Sequence, residues 1–92
     1  MKIFQSRSSE QRVKKLPKPE KEALDQELRK IMANPGIGAA KKGDLRGVFI
    51  HKFNLRTTPH LLAYRMVGED LQLIMIGPHE NYYRDLKKYL PK

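Results

Sequence analysis

The sequence contains no cysteine and no tryptophan. Without thiols there can be no disulfides, no thiolate zinc site, no iron–sulfur cluster and no cysteine nucleophile. Long apolar runs are missing too. Nothing approaches the roughly 18 residues that a membrane-crossing helix needs, and the apolar start at Met1 to Phe4 is far too short for a secretion signal. The expectation is a soluble, cytoplasmic protein with no membrane partner. Length is also in short supply: 92 residues fall below the roughly 100 to 200 usual for one domain. That excludes a two-domain enzyme with a cleft between its halves and predicts a single domain over residues 1–92. With 39% hydrophobic residues, a chain of this size can fold around one modest core without staples.

Acidic residues are few against basic ones, 10 to 19, which leaves a net charge of +9. The excess is not a grafted tail. Positions 1–47 carry 12 basic and 6 acidic residues and positions 48–92 carry 7 and 4. A field of this sign attracts nucleic acid or an acidic protein partner, and its pull weakens as salt rises. Solubility alone needs less imbalance.

Apolar spacing divides the chain into elements. Met1 to Gln5 reads as a short strand. Ser8 and Gln11 have the spacing of a capping box, and Val13 and Leu16 follow three apart, which predicts a helix of about two turns stopped by Pro17. Pro19, Glu20 and Glu22 mark the start of a second helix, where a missing N–H costs nothing and negative charge meets the positive end of the dipole. Leu24, Leu28, Ile31 and Met32 then form one apolar stripe, and Asn34-Pro35-Gly36 ends it. Ile37 to Gly47 reads as a mobile basic loop carrying Lys41, Lys42 and Arg46. It runs from a helix into a strand and lacks the GxxxxGK[ST] pattern, so it is not a nucleotide-binding loop. Val48 to Leu55, His60 to Val67 and Leu71 to Ile76 have strand composition and are separated by Arg56-Thr57-Thr58-Pro59 and Gly68-Glu69-Asp70, which predicts three antiparallel strands. In the first, Phe49, His51, Phe53 and Leu55 share one face, and Lys52 and Asn54 look out from the other. Gly77-Pro78 closes the sheet, and Asn81 to Leu90 forms a last helix ended by Pro91. The fold class is α+β: an N-terminal strand and helical hairpin packed on an antiparallel sheet, with a C-terminal helix.

His51, His60 and His79 lie on different segments, and none has a second ligand at metal spacing within its element. No nucleophile elbow surrounds Ser6, Ser8 or Ser9. No metal or other cofactor is expected. What remains is metal-free chemistry on phosphodiesters. In RNA this means attack of a 2′-hydroxyl on its own phosphate, which needs a base, an acid, and cations to hold the phosphate as charge builds. His79 is followed four positions later by Tyr83, and an imidazole beside a phenol is a proton-transfer pair. Arg65, Lys52 and Arg56, on or beside neighbouring strands, are candidates to clamp phosphate. Each has a plainer reading: His79 as a helix cap, one of Tyr82 and Tyr83 as a core residue, Arg65 as the partner of Glu69 or Asp70, His51 as a packing histidine, His60 as an exposed turn residue.

Element order and the ending GPHENYYRDLKKYL give the chain a likeness to the RelE/ParE superfamily of toxins from type II toxin–antitoxin systems. The helical hairpin, the basic glycine-rich loop and the strands VFIHKF, LLAYRM and LQLIMIG resemble that family over nearly the whole length. The resemblance implies a cognate antitoxin as partner and one of two activities. RelE-like members cut mRNA on the ribosome without metal, and members similar to YafQ carry a histidine after the last strand with an aromatic four positions on, as His79 and Tyr83 stand here. On that reading His79, Tyr83 and Arg65 are catalytic, and Lys52, Arg56, Lys41, Lys42 and Arg46 hold phosphate or RNA. Lys52 matches the first of two alternating strand lysines in RelE. Asn54 stands in place of the second, Leu61 stands in place of the strand arginine, and Arg65 lies outside the pattern. ParE-like members share the fold and poison DNA gyrase instead, which is the alternative.

Overall fold

A serine and a proline decide where the N-terminal helices begin. In the computed structural model, which describes residues 2–89, strand β1 (Ile3–Gln5) is followed by Ser6 with extended backbone angles. Its hydroxyl accepts the Ser9 N–H at 3.1 Å and donates to the carbonyl of Ile74. Helix α1 therefore runs Arg7–Lys14. The cap is Ser6, not Ser8, because Ser6 is the residue at which the chain leaves the sheet and still has first-turn donors to satisfy. Pro17 precedes helix α2 (Lys18–Ala33), with Pro19 in its first turn as expected. Leu24 and Ile31 are buried and Leu28 is half-buried, while Met32 is exposed. The stripe is thus narrower than its spacing predicts: Ile31 in the last turn is fully buried, and its neighbour Met32 falls outside the covered face.

The segment expected to be one irregular loop has structure of its own. A 3-10 turn over Pro35–Ile37 leads into strand β2 (Ala39–Ala40), and a second turn over Gly43–Leu45 leads out of it. Lys41 N–H donates to the Val48 carbonyl at 2.9 Å, which closes this excursion onto the next strand. Gly43 and Gly47 have φ of +65° and +87°, positions where a side chain would be strained.

Strands β3 (Phe49–Leu55), β4 (Thr58–Val67) and β5 (Asp70–Pro78) form the predicted meander. The β3–β4 turn is tighter than expected. Leu55 pairs with Thr58, so Arg56 and Thr57 alone make the turn, with Arg56 at φ +58°. His60 consequently lies inside a strand, half-buried against Phe53, and not in an exposed turn. Gly77 and Pro78 extend β5 where an end was expected. Sheet order is β1-β5-β4-β3-β2; β1 joins β5 in parallel and the other pairs are antiparallel. Alternation sorts side chains between two cores. Leu24, Ile31, Phe53, Leu55, Leu62, Tyr64, Leu71, Leu73 and Ile76 fill the space under α1 and α2. Leu45, Val48, Ile50, Leu61, Ala63 and Met75 face helix α3 (Tyr82–Tyr89), whose Tyr82 and Leu86 complete the second core. Between Ala63 and Tyr64 the register shifts by one residue against Ile74, a bulge that re-aims side chains at mid-sheet. Met1, Leu90 and Pro91, assigned above to the first strand and the last helix, lie outside the described residues. Among the described residues no helix is long and apolar enough to cross a membrane.

Candidate active site

The chain leaves β5 at Pro78 and makes a short turn before α3. His79 N–H donates to the Pro59 carbonyl at 3.3 Å, and the His79 carbonyl accepts the Tyr82 N–H at 3.2 Å. Asn81 takes the left-handed backbone, φ +59°, which asparagine tolerates better than most residues. His79 is thereby fixed by its backbone alone. Its ring is exposed and makes no hydrogen bond among the described residues, so it is not a side-chain cap. Its neighbour is Tyr83, the second residue of α3, with ring centroids 6.4 Å apart and planes at 86°, an edge-to-face contact.

Tyr82 and Tyr83 divide as expected. Tyr82 is buried, and its hydroxyl donates to the Met75 carbonyl at 2.6 Å. Burial pushes its phenol above the ordinary tyrosine range, with the Tyr83 charge adding to the rise against a backbone hydrogen bond near Ala63. Tyr82 is therefore a strut that stays protonated. Tyr83 is half-buried, meets Tyr82 edge-on at 5.8 Å, and carries Lys41 over its ring face, Nζ 5.3 Å from the centroid, which is within cation–π reach. Two residues expected on different grounds, the loop lysine and the helix tyrosine, thus meet beside His79.

Lys52 alternates with Ile50 on β3 and is opposite Leu61, which in turn is opposite Gly77. It is exposed on the α3 face, in the strand row that ends at Gly77, two residues before His79. Lys42 and Arg46 are exposed on either side of the buried Leu45, at the rim of that face. Arg56 and Arg65 are placed differently. Arg56 points toward α2, its Nε 3.6 Å from Glu20 Oε1. Arg65 donates from Nε to Gln72 Oε1 at 2.7 Å, and so is partnered by neither Glu69 nor Asp70. It lies four residues along β4 from Leu61, about 13 Å at the rise of a strand. Contacts therefore group His79, Tyr83 and Lys41, Lys52 lies on the α3 face of the sheet, and Arg56 and Arg65 are engaged elsewhere.

An arginine that sequence reading missed stands nearer. Arg12 of α1 brings Nη2 to 3.9 Å from the point where a side chain on Gly77 would begin, and the Tyr82 ring flanks the same point at 3.7 Å. Arg12 is exposed and has no ion pair or hydrogen bond among the described residues. The available signal was Gly77 itself, since a glycine inside an apolar strand marks a close approach. Lys41 thus lies on the Tyr83 ring, Arg12 reaches β5 at Gly77 and Lys52 shares the sheet face, and among the described residues none of the three has a carboxylate partner. Such a set can hold an anion and move a proton. His51 belongs elsewhere: it is the packing histidine expected, buried, stacked on Phe53 at 5.8 Å and 2.9 Å from Glu27. No cluster of three or more metal-ligating side chains occurs among the described residues.

Comparison with known proteins agrees with this architecture. No curated protein matches the sequence significantly. Among solved structures, an arginine-substituted E. coli RelE in the free state superposes with a TM-score of 0.72 at 21% identity, over 97% of each chain. A chain of the intact E. coli RelBE toxin–antitoxin complex gives 0.69 at 21%, covering 86% of this chain and 96% of that one. A YoeB/ParE toxin from Agrobacterium tumefaciens gives 0.68 at 23%, covering 86% and 99%. At these identities the likeness establishes the fold. The family profile of the ParE-like toxin of type II bacterial toxin–antitoxin systems matches residues 3–87, and with nearly the whole chain so matched the protein belongs to that toxin family.

Proposed function

We propose that this toxin is a metal-independent endoribonuclease that cleaves mRNA at the ribosome and is neutralised by a cognate antitoxin. The observation that carries the reading is the exposed His79 ring, free of hydrogen bonds among the described residues and edge-on to Tyr83, whose ring Lys41 covers. His79 exchanges a proton with the attacking 2′-hydroxyl or the departing 5′ oxygen, and Tyr83 orients it or serves as its counterpart. Lys41, Lys52 and Arg12 hold the phosphate as charge accumulates. Lys42 and Arg46 extend the cationic rim along the RNA, and Arg56 and Arg65 have lesser parts, given their present partners. The antitoxin is supported by the solved RelE complexes, RelBE and RelE with an antitoxin RelBc peptide, and by the net charge of +9, which suits an acidic partner.

A gyrase-poisoning reading is favoured by one observation, the diversion of Arg56 and Arg65 away from the candidate site. The two separate in one experiment. The protein is induced without antitoxin, and transcript 5′ ends are mapped by primer extension for wild type and His79→Ala. Cuts within translated frames that fall about 10²- to 10⁴-fold in the variant support the nuclease. Growth arrest with intact transcripts, insensitive to His79, moves the assignment to gyrase.

A further inference from the structure

Lys41 reaches Tyr83 from a segment held to β3 by a two-residue strand and by its own N–H on the Val48 carbonyl. Strand β2 is two alanines, Ala39 and Ala40, paired with Ile50 and Phe49. So short an edge strand is marginal without other support. The support comes from underneath. Tyr64 of β4 is fully buried in the core below α2. Its hydroxyl donates to the Pro35 carbonyl at 2.5 Å and accepts the Gly38 N–H at 3.0 Å. One phenol thus ties both ends of the turn that delivers β2. Its ring also stacks on Phe49 at 5.5 Å and 16°, and Phe49 is the strand partner of Ala40.

Gly38 adds an independent mark of the same contact. Its backbone angles, φ −74° and ψ 155°, suit any residue, so conformation does not demand glycine there. Space does. A Cβ on Gly38 would lie 2.7 Å from the Tyr64 hydroxyl and 3.0 and 3.1 Å from two ring carbons, and the buried ring cannot give way.

We propose that Tyr64 is a positioning residue for the active site: its hydroxyl pins Gly38 and Pro35 and thereby sets Lys41 over Tyr83. It touches no reacting atom itself. Its effect on catalysis rests on the ribonuclease reading, whereas its effect on Lys41 does not.

The test uses the full chain as wild type, Tyr64→Phe and Gly38→Ala, with Lys41→Met as reference. Two readouts are taken: the NMR contact between the Lys41 side chain and the Tyr83 ring, with the ring-current shift it produces, and the rate of ribosome-bound mRNA cleavage. Tyr64→Phe should keep the sheet's amide pattern and lose the contact. Its kcat should drop about 10- to 100-fold, toward that of Lys41→Met, with KM nearly unchanged, as expected for a displaced catalytic group. Gly38→Ala should lose the contact through its clash, and decides the question if Tyr64→Phe fails to fold. Persistence of the Lys41–Tyr83 contact in the folded variants overturns the proposal, as does loss of the contact with kcat unchanged. A wild type that shows the contact and does not cleave mRNA overturns the ribonuclease reading and leaves the contact in the two variants to decide the clasp.

Discussion

Between α2 and the sheet, Glu27 receives His51 Nε2 on one carboxylate oxygen and Lys30 Nζ on the other, each at 2.9 Å. Burial pushes the Glu27 carboxyl up, but the hydrogen bonds and charges of Lys30 and His51 outweigh it and hold the group below its ordinary value of 4.5. A carboxyl whose folded pKa is depressed contributes stability that is present above the unfolded value and lost as pH falls through the folded one. The urea midpoint should therefore decline as pH drops below about 4.5, and Glu27→Gln should remove part of that decline while being less stable at pH 7. Equal pH profiles for the two proteins would show that the contact carries no such linkage. The sequence identified His51 as a packing residue, because it alternates with Phe49 and Phe53. Its partner was not legible, since Glu27 and His51 are 24 positions apart and no local pattern joins them. The same limit hid Arg12, whose nearness to Gly77 arises only when α1 folds against β5.

At the scale of the element, α3 carries two adjacent tyrosines in different settings, Tyr82 buried and Tyr83 half-buried beside His79. Tyr82 fills the core and ties its hydroxyl to Met75, so Tyr82→Phe should cost about 1 to 2 kcal/mol of stability, the worth of a buried hydrogen bond left half-made. Cleavage should be little changed at temperatures where the variant is folded. Tyr83→Phe should do the reverse, leaving the denaturation midpoint alone and lowering cleavage. Paired chemical denaturation and single-turnover kinetics distinguish the two, and equal stability losses would contradict the division. The helical period around Tyr82 and Leu86 announced this element, and period-two alternation announced β3 and its outward Lys52. Strand β2 was invisible by comparison. Two alanines have neither strand propensity nor a pattern, and their pairing depends on Tyr64 beneath the preceding turn. The ends of β4 and β5 were misread for a related reason: Pro59 and Pro78 look like terminators, yet proline is tolerated near strand ends when its missing N–H is not required by the ladder.

For the molecule as a whole, if RNA is the substrate as proposed, the net charge of +9 should govern how it arrives. If Arg12, Lys41 and Lys52 each neutralise one phosphate of a single strand, the logarithm of affinity should fall with the logarithm of salt with a slope of about −2, and Arg12→Ala should reduce that slope by about 0.7. Anisotropy titrations of an RNA oligonucleotide over a range of salt, in the His79→Ala background to prevent cutting, measure both quantities. An unchanged slope would remove Arg12 from the contact.

The parallel pairing of β1 with β5 has a bearing on time. Ile3 is matched with Leu71, and drawing together residues 68 apart costs on the order of 4 kcal/mol in loop entropy, whereas the β3–β4 and β4–β5 hairpins close over a few residues. Hairpins should form early and β1 should dock late. During synthesis the order is stricter: β1 must wait for β5, and His79 and Tyr83 come after β5. If the ribonuclease proposal holds, a nascent chain carries no His79–Tyr83 pair while β5 is still being made, and the connectivity of the sheet withholds the site from the ribosome until then.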